Sequence, residues 1–284
     1  MNISVIGHVC IDENISENTS YTAPGSPAVF IDRIFKQFPD SHVGIVASYG
    51  SDLVQYLDGV DIYPSNPNAA KTLLHKNVTK LGKRFSKSFN IEESAPPELT
   101  DKAIEIIRRA DILFFAPLWP NIHSDYIRQV SEISDKDSLK ILLPQGYFRT
   151  VDTENNQITR EFVEASEILP FVDIVIVSEQ DHPDMMRVVG EWVHKFDLIT
   201  VVTLGEKGAI AISKHGETVL PANPVLENEV VDSVGSGDIF SAGFAYRYKQ
   251  TKNIKEAGKF ANSLARQALF YPASKIKIDI NLLK

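Results

Sequence analysis

The sequence predicts an α/β fold: a mostly parallel sheet flanked by helices on both faces, with a small β lid. Two observations predict it. Short apolar runs rich in β-branched residues recur through the 284 residues and alternate with segments of helical period. An order of β, α, β, α implies parallel strands joined by covering helices. Two further segments, at about 12–24 and 70–90, break this rhythm and supply the lid. Chains of this length commonly form one α/β unit, so residues 1–284 are expected to make a single domain.

The strands in order are "ISVIG", "VGIVAS", "DILFFA", "LKILLP", "VDIVIVS" and "LITVVTLG", each short and closed by a small residue or turn former. Helical patterns fall at 27–38, about 99–109, 123–134, 183–196, 238–250 and 254–270. The stretch 12–24 is polar and turn-prone, while 70–90 reads as two alternating strands around a Leu-Gly turn. Ligands of such sheets sit beyond the carboxyl ends of the strands.

Composition narrows the function. Hydrophobic residues make up 43% and charged residues 23%, as in soluble globular proteins, and no apolar run is long enough to cross a bilayer. The N-terminus lacks a basic leader region and a cleavage site, so it reads as a first strand of a cytoplasmic protein. Cys10, the single cysteine, reads as a small core residue, and the seven histidines show no spacing for a Cys/His zinc cage. A net charge of −8 disfavours nucleic acid and leaves a small molecule as the expected ligand. Between Asp61 and Glu92 the only charged residues are Lys71, Lys76, Lys80, Lys83, Arg84 and Lys87. They suit either a solvated hairpin with edge-protecting lysines or an anion-attracting flap.

The chemistry concentrates in "DSVGSGDIFSAGF", Asp232 to Phe244. Gly235 and Gly237 permit close backbone approach, and the helix beginning there offers unpaired N–H groups at its positive end. Asp238 in its first turn places a proton acceptor beside that anion cradle, an arrangement suited to deprotonating a hydroxyl that attacks a phosphoryl group. Alone, "GSGD" equally describes a first-turn acid complementing the helix dipole.

The longer pattern of Asp232, Gly235, Gly237, Asp238, Phe240, Gly243 and Phe244 resembles the C-terminal signature of the ribokinase-like (PfkB) carbohydrate and nucleoside kinases. "VVTLGEKGAIAI" is similar to that family's nucleotide segment, "AGKFANSLARQAL" to its adenine-flanking helix, and "VIGHVCID" and "SYGSDL" to its first strand and G-D-D region. The resemblance implies a ribokinase-like three-layer fold and transfer of the terminal phosphoryl group of ATP, with Mg2+ and a monovalent cation, to an alcohol of a sugar or polyol. A nucleoside kinase and a non-catalytic sugar-sensing protein are the alternatives. It implies Asp238 as base, with the Gly235, Ser236 and Gly237 amides as anion hole, and Asp232 holding the loop near the monovalent cation. Thr203, Gly205, Gly208 and Asn262 would line the nucleotide, and Asp12 would bind the acceptor. A homodimer through the lid belongs to the same expectation.

The chain departs from the family at the acceptor. "GSPAVF" keeps Gly25 but puts Ser26 for a second glycine and Phe30 for an asparagine, which removes a sugar hydrogen bond. "SEQD" replaces N-x-x-E and leaves Glu179 or Asp181 to organise the metal. "PQGYFR" offers Gln145 and Arg149 to the substrate, a variant associated with a subgroup that includes inositol-kinase-like members.

Overall fold

The computed structural model describes residues 1–16, 20–80 and 83–283, the side chains of Lys83 and Arg84 aside. In chain order it runs β1 (Asn2–Gly7), β2 (Cys10–Ile15), β3 (Ser20–Gly25), α1 (Pro27–Phe35), β4 (His42–Val46), β5 (Ile62–Tyr63), β6 (Leu73–Lys80) and β7 (Lys83–Phe89). It continues with α2 (Asp101–Arg108), β8 (Ile112–Ala116), α3 (Ser124–Ile133), β9 (Leu139–Leu142), β10 (Arg149–Val151), β11 (Gln157–Thr159), α4 (Ala165–Ile168), β12 (Ile174–Ser178) and α5 (Met185–Lys195). Then come β13 (Ile199–Thr203), β14 (Gly208–Ser213), β15 (Gly216–Pro221), α6 (Ser236–Thr251) and α7 (Ile254–Ala268).

Every strand and helix expected from the pattern is present. The main sheet has nine strands in the order β15-β14-β13-β12-β9-β8-β1-β4-β5. It is parallel from β5 to β13, then antiparallel to its β15 edge. The antiparallel end was not expected; "GEKG" is the turn at which β13 reverses into β14. Alternation along β8 shows why the sheet is covered twice: Ile112, Phe114 and Ala116 join one apolar cluster, whereas Leu113 and Phe115 join another. The first cluster takes in Ile31, Ile34 and Phe35 of α1, Phe240 and Phe244 of α6, and Leu264 of α7; the second takes in Ile107, Ile127, Val189 and Trp192. No helix among the described residues is long and apolar enough to cross a membrane.

The lid is a four-stranded sheet, β3-β2-β6-β7, in which β2 pairs parallel with β6. The Leu81-Gly82 turn lies outside the described residues. Along β6 Leu73, His75 and Asn77 are buried, so Lys76 and Lys80 point the other way. Lys76 pairs with Glu13 at 3.1 Å and Lys87 donates to the Glu154 carbonyl at 3.1 Å. A strap at 272–278 ties back onto α1. There Arg33 donates to the Ala273 carbonyl at 2.5 Å and Gln37 exchanges hydrogen bonds with Ile276 and Ile278.

Ser26 caps α1 at a cost. Its hydroxyl accepts from the Val29 N–H at 3.3 Å, yet its backbone stands at φ 105°, ψ 155°, a region that glycine alone occupies comfortably. Strain of about 1–3 kcal/mol is set against a cap worth only a few tenths over glycine and a glycine entropy cost of about 0.5–1 kcal/mol. Ser26→Gly is therefore expected to stabilise the protein by about 1 kcal/mol, about 2 °C in a melting curve. A lower melting temperature would show that the cap outweighs the strain.

Candidate active site

The site forms where several chain crossings leave the carboxyl ends of the parallel strands. β1 leads to Asp12 on β2, β9 to Gln145 and Arg149, β12 to Glu179 and Asp181, and β13 to Gly205. The N-terminus of α6 closes the arrangement.

Gly235 is the N-cap of α6 at φ 78°, ψ 2°, and a Cβ there would stand 2.6 Å from the Phe30 ring. Both facts demand glycine. At Gly237 a Cβ would meet nothing within 4 Å, so the fold leaves that space open. The Ser236 N–H already donates to the Ser233 carbonyl at 3.2 Å, so among the three loop amides those of Gly235 and Gly237 remain open to an incoming hydrogen-bond acceptor. Asp232 holds the loop with both carboxylate oxygens: one accepts from Val234 N–H and the other from Ala273 N–H, each at 3.0 Å. Gly243 has a different reason. A Cβ there would stand 3.1 Å from the Ala261 Cα, so this glycine serves the packing of α6 on α7.

Three carboxylates and one guanidinium share the floor. Burial pushes the Asp238 carboxyl up to about 7; Arg149 opposes the shift, while Asp181 and Asp12 add to it. Burial also raises Asp181, against the Ser178 N–H (2.8 Å), Arg149 and a hydrogen bond from Gln145. Asp181 thus faces Gln145, Arg149 and Asp238, whereas Glu179 is exposed. Of the two acids in "SEQD", Asp181 is the one brought to the site. A carboxylate beside an anion cradle fits Mg2+, which keeps several waters and takes few protein ligands.

Asp12 opens into a cavity of about 370 Å³ with Tyr21, Phe30, Arg33, Val234 and the strap residues Pro272 to Ser274 in its wall. Phe30 replaces a polar contact with an aromatic wall, and Arg33 lies over that ring at 5.4 Å. Gly25 is pressed under Asp12: a Cβ there would stand 2.1 Å from Oδ2. Ser26 stands at the head of α1 with its hydroxyl on the helix backbone. Tyr21 and Arg33 escaped the sequence reading. Arg33 had a signal, since it follows Phe30 by three residues on one helix face.

On the donor side Thr203 ends β13 and donates to the Val177 carbonyl at 3.2 Å, Gly205 begins the turn and Gly208 opens β14. Asn262 on α7 donates to the Leu220 and Pro221 carbonyls at 2.9 and 3.2 Å, fastening the end of β15. The fold also brings together a mixed cluster that is not a Cys/His cage. Parallel pairing of β2 and β6 places Asp12 opposite His75, and ligand atoms of Cys10, Asp12 and His75 lie within 4.8 Å of one another. Sequence spacing could not reveal it, because the register joins residues 63 apart.

Residues 48–280 match the profile of the pfkB family carbohydrate kinase. The chain is 25% identical over 296 residues to a cytidine kinase of Thermococcus kodakarensis, covering 95% of this chain and 96% of that one. Its fold is shared with a pyrophosphate-dependent kinase in the ribokinase family (TM-score 0.74, 18% identity, 95% and 96% covered). It is shared likewise with Arabidopsis thaliana ribokinase complexed with ribose and ATP (TM-score 0.70, 20% identity, 94% and 92% covered).

The two loop glycines separate by experiment. Gly237→Ala is expected to melt at or slightly above the parent temperature, because its methyl meets open space in a first helical turn, yet to lose activity about 10-fold or more by intruding on the anion. Gly235→Ala is expected to lose both stability and activity. Full activity in a folded Gly237→Ala protein would place the anion elsewhere.

Proposed function

The chain belongs to the PfkB family of carbohydrate kinases and is a phosphotransferase; on that premise we propose that Asp238 is the base that drives transfer of the terminal phosphoryl group of ATP to a hydroxyl held at Asp12. The carrying observation is the place of Asp238 in the first turn of α6, beside the open space at Gly237, where burial pushes its carboxyl up to about 7. A general base works best when its pKa lies near the operating pH. A non-catalytic sensor would have no use for it.

In this reading the acceptor O–H gives its proton to Asp238 as the new O–P bond forms and the bond to the leaving ADP breaks. The Gly235 and Gly237 amides face the charge carried on the transferring oxygens, with the positive end of α6 behind them. Arg149 offsets the crowding of carboxylates. Asp181 would hold Mg2+, which supplies charge neutralisation of the phosphates, and Asp232 would stand near a monovalent cation. Thr203, Gly205, Gly208 and Asn262 would border the nucleotide. Asp12 offers two acceptor atoms to a sugar or polyol, supported by Gly25 and Ser26 beneath and beside it. A nucleoside is the second reading, favoured by the Tyr21, Phe30 and Val234 wall and by the whole-length match to a cytidine kinase. The reading includes a homodimer through the lid, whose outer face carries an Ile15, Val78 and Phe85 row across three paired strands.

A panel of sugars, inositols and nucleosides assayed for ADP release tests the acceptor. Turnover of a member with ATP is the expected result, and turnover with pyrophosphate alone would overturn the donor. Asp238→Asn is expected to lower turnover about 10²–10⁴-fold.

The pH dependence follows from the sign of the shift. Rate at limiting substrate is expected to rise with pH through about 7 as Asp238 ionises, and that limb should vanish in Asp238→Asn. For stability the direction is opposite. The folded chain favours the protonated acid, so this contribution is full below the ordinary value of 3.8 and lost as pH climbs through about 7. Melting curves should therefore show Asp238→Asn gaining on the parent between pH 4 and pH 8, where amide and carboxylate differ most. Parallel curves across that range would mean that Asp238 ionises as an ordinary exposed acid.

A further inference from the structure

Behind Asp12, the registers of β2, β6 and β7 set Asp12, His75 and Ser88 side by side on the buried face of the lid. His75 is 6% exposed, and its Nε2 faces the Trp119 indole N–H at 3.4 Å. An indole nitrogen can only donate, so Nε2 must accept. The proton of the neutral ring therefore sits on Nδ1, which lies 3.6 Å from Asp12 Oδ1. That is longer than an ordinary hydrogen bond and acts as a charge–dipole contact within closing distance. Cys10 reaches the same Oδ1 at 3.6 Å, and burial together with Asp12 raises its thiol well above the ordinary range, so sulfur presents an S–H donor.

The loop that carries Trp119 is itself fixed. His8 Nδ1 accepts from the Leu118 N–H at 2.9 Å and its Nε2 meets Asn121 Oδ1 at 2.7 Å. From β7 the neighbour of His75 is Ser88, whose hydroxyl receives the Gln157 amide at 2.7 Å. Among the described residues, the groups facing the imidazole include Asp12 and Cys10 on β2, Trp119 on its loop and Ser88 on β7, with the neutral His8 behind them.

We propose that His75, its tautomer set by Trp119, is a positioning residue for the acceptor: it turns Oδ1 of Asp12 inward and leaves Oδ2 to receive the acceptor hydroxyls. The inference rests on the reading of Asp12 as the acceptor-binding carboxylate. The same cluster is a poor metal site for a stated reason. A metal on Nδ1 would require the ring proton on Nε2, directly opposed to the Trp119 N–H.

The test measures acceptor KM, ATP KM and kcat in four variants with the best acceptor of the panel. An asparagine amide can stand near the place of Nδ1–H, whereas a glutamine amide reaches toward Nε2. His75→Ala and His75→Gln are expected to raise acceptor KM about tenfold, through loss of the charge–dipole contact that orients the Asp12 carboxylate, with ATP KM and kcat within about twofold. His75→Asn should recover most of that loss. Asp12→Asn, run in parallel, should raise acceptor KM at least as far. If Asp12→Asn leaves acceptor KM unchanged, the reading of Asp12 fails and the inference with it; if it raises KM while His75→Ala does not, only the inference fails. Equal behaviour of the asparagine and glutamine variants, or a fall in kcat and melting temperature with KM unmoved, would reduce His75 to a packing residue. Zinc chloride added to the parent protein should not compete with the acceptor. Competition abolished by Cys10→Ser would reverse the tautomer and overturn the assignment.

Discussion

The contact of the Phe30 ring with Gly235 decides where α6 begins, and most of the site hangs on that point. A left-handed residue backed by an aromatic ring can be nothing but glycine, so the chain turns into the helix at one place only. From there the amide of Gly237 and the carboxyl of Asp238 are placed by helical geometry. The helix is in turn held by seven consecutive buried residues, Ile239 to Ala245, and by the close approach of Gly243 to α7. Positional accuracy at the mouth therefore comes from packing rather than from the loop itself.

Electrostatics adds a second constraint. Asp12, Asp181 and Asp238 share one floor with Arg149; burial does most to raise the Asp238 carboxyl, Arg149 opposes it, and the two neighbouring carboxylates add to it. Such a floor holds the Asp238 carboxyl up at about 7 while the guanidinium of Arg149 limits the shift. Lys76 of the lid stands outside that balance, matched by Glu13 on the other face.

How much of this the sequence disclosed follows from the range of each interaction. Strands and helices were legible because alternation and helical period are local properties, and the mouth of α6 was legible because Gly235 to Asp238 are contiguous. The choice of Asp181 over Glu179 was not, for both fit the loop and only the tertiary turn aims one inward. The antiparallel β14 and β15 were missed because "GAIAI" and "ETVLP" are brief and resemble a turn's flanks. His75 was hidden more deeply. Its partners come from two distant parts of the chain, Cys10 and Asp12 from β2 and Trp119 from the loop after β8, and no spacing rule links either to His75.

The strap at 272–278 bears on how the protein comes into being. Its bonds join Arg33 to Ala273 and Gln37 to Ile276 across about 240 residues, and the Ala273 N–H also donates to Asp232. During synthesis the N-terminal half emerges well before residues 272–274, which form one wall of the cavity beside Asp12. Until they arrive, Phe30 lacks that wall and stands open to its surroundings. Chaperone capture, if it occurs, has its natural foothold there, and its natural end when the strap arrives.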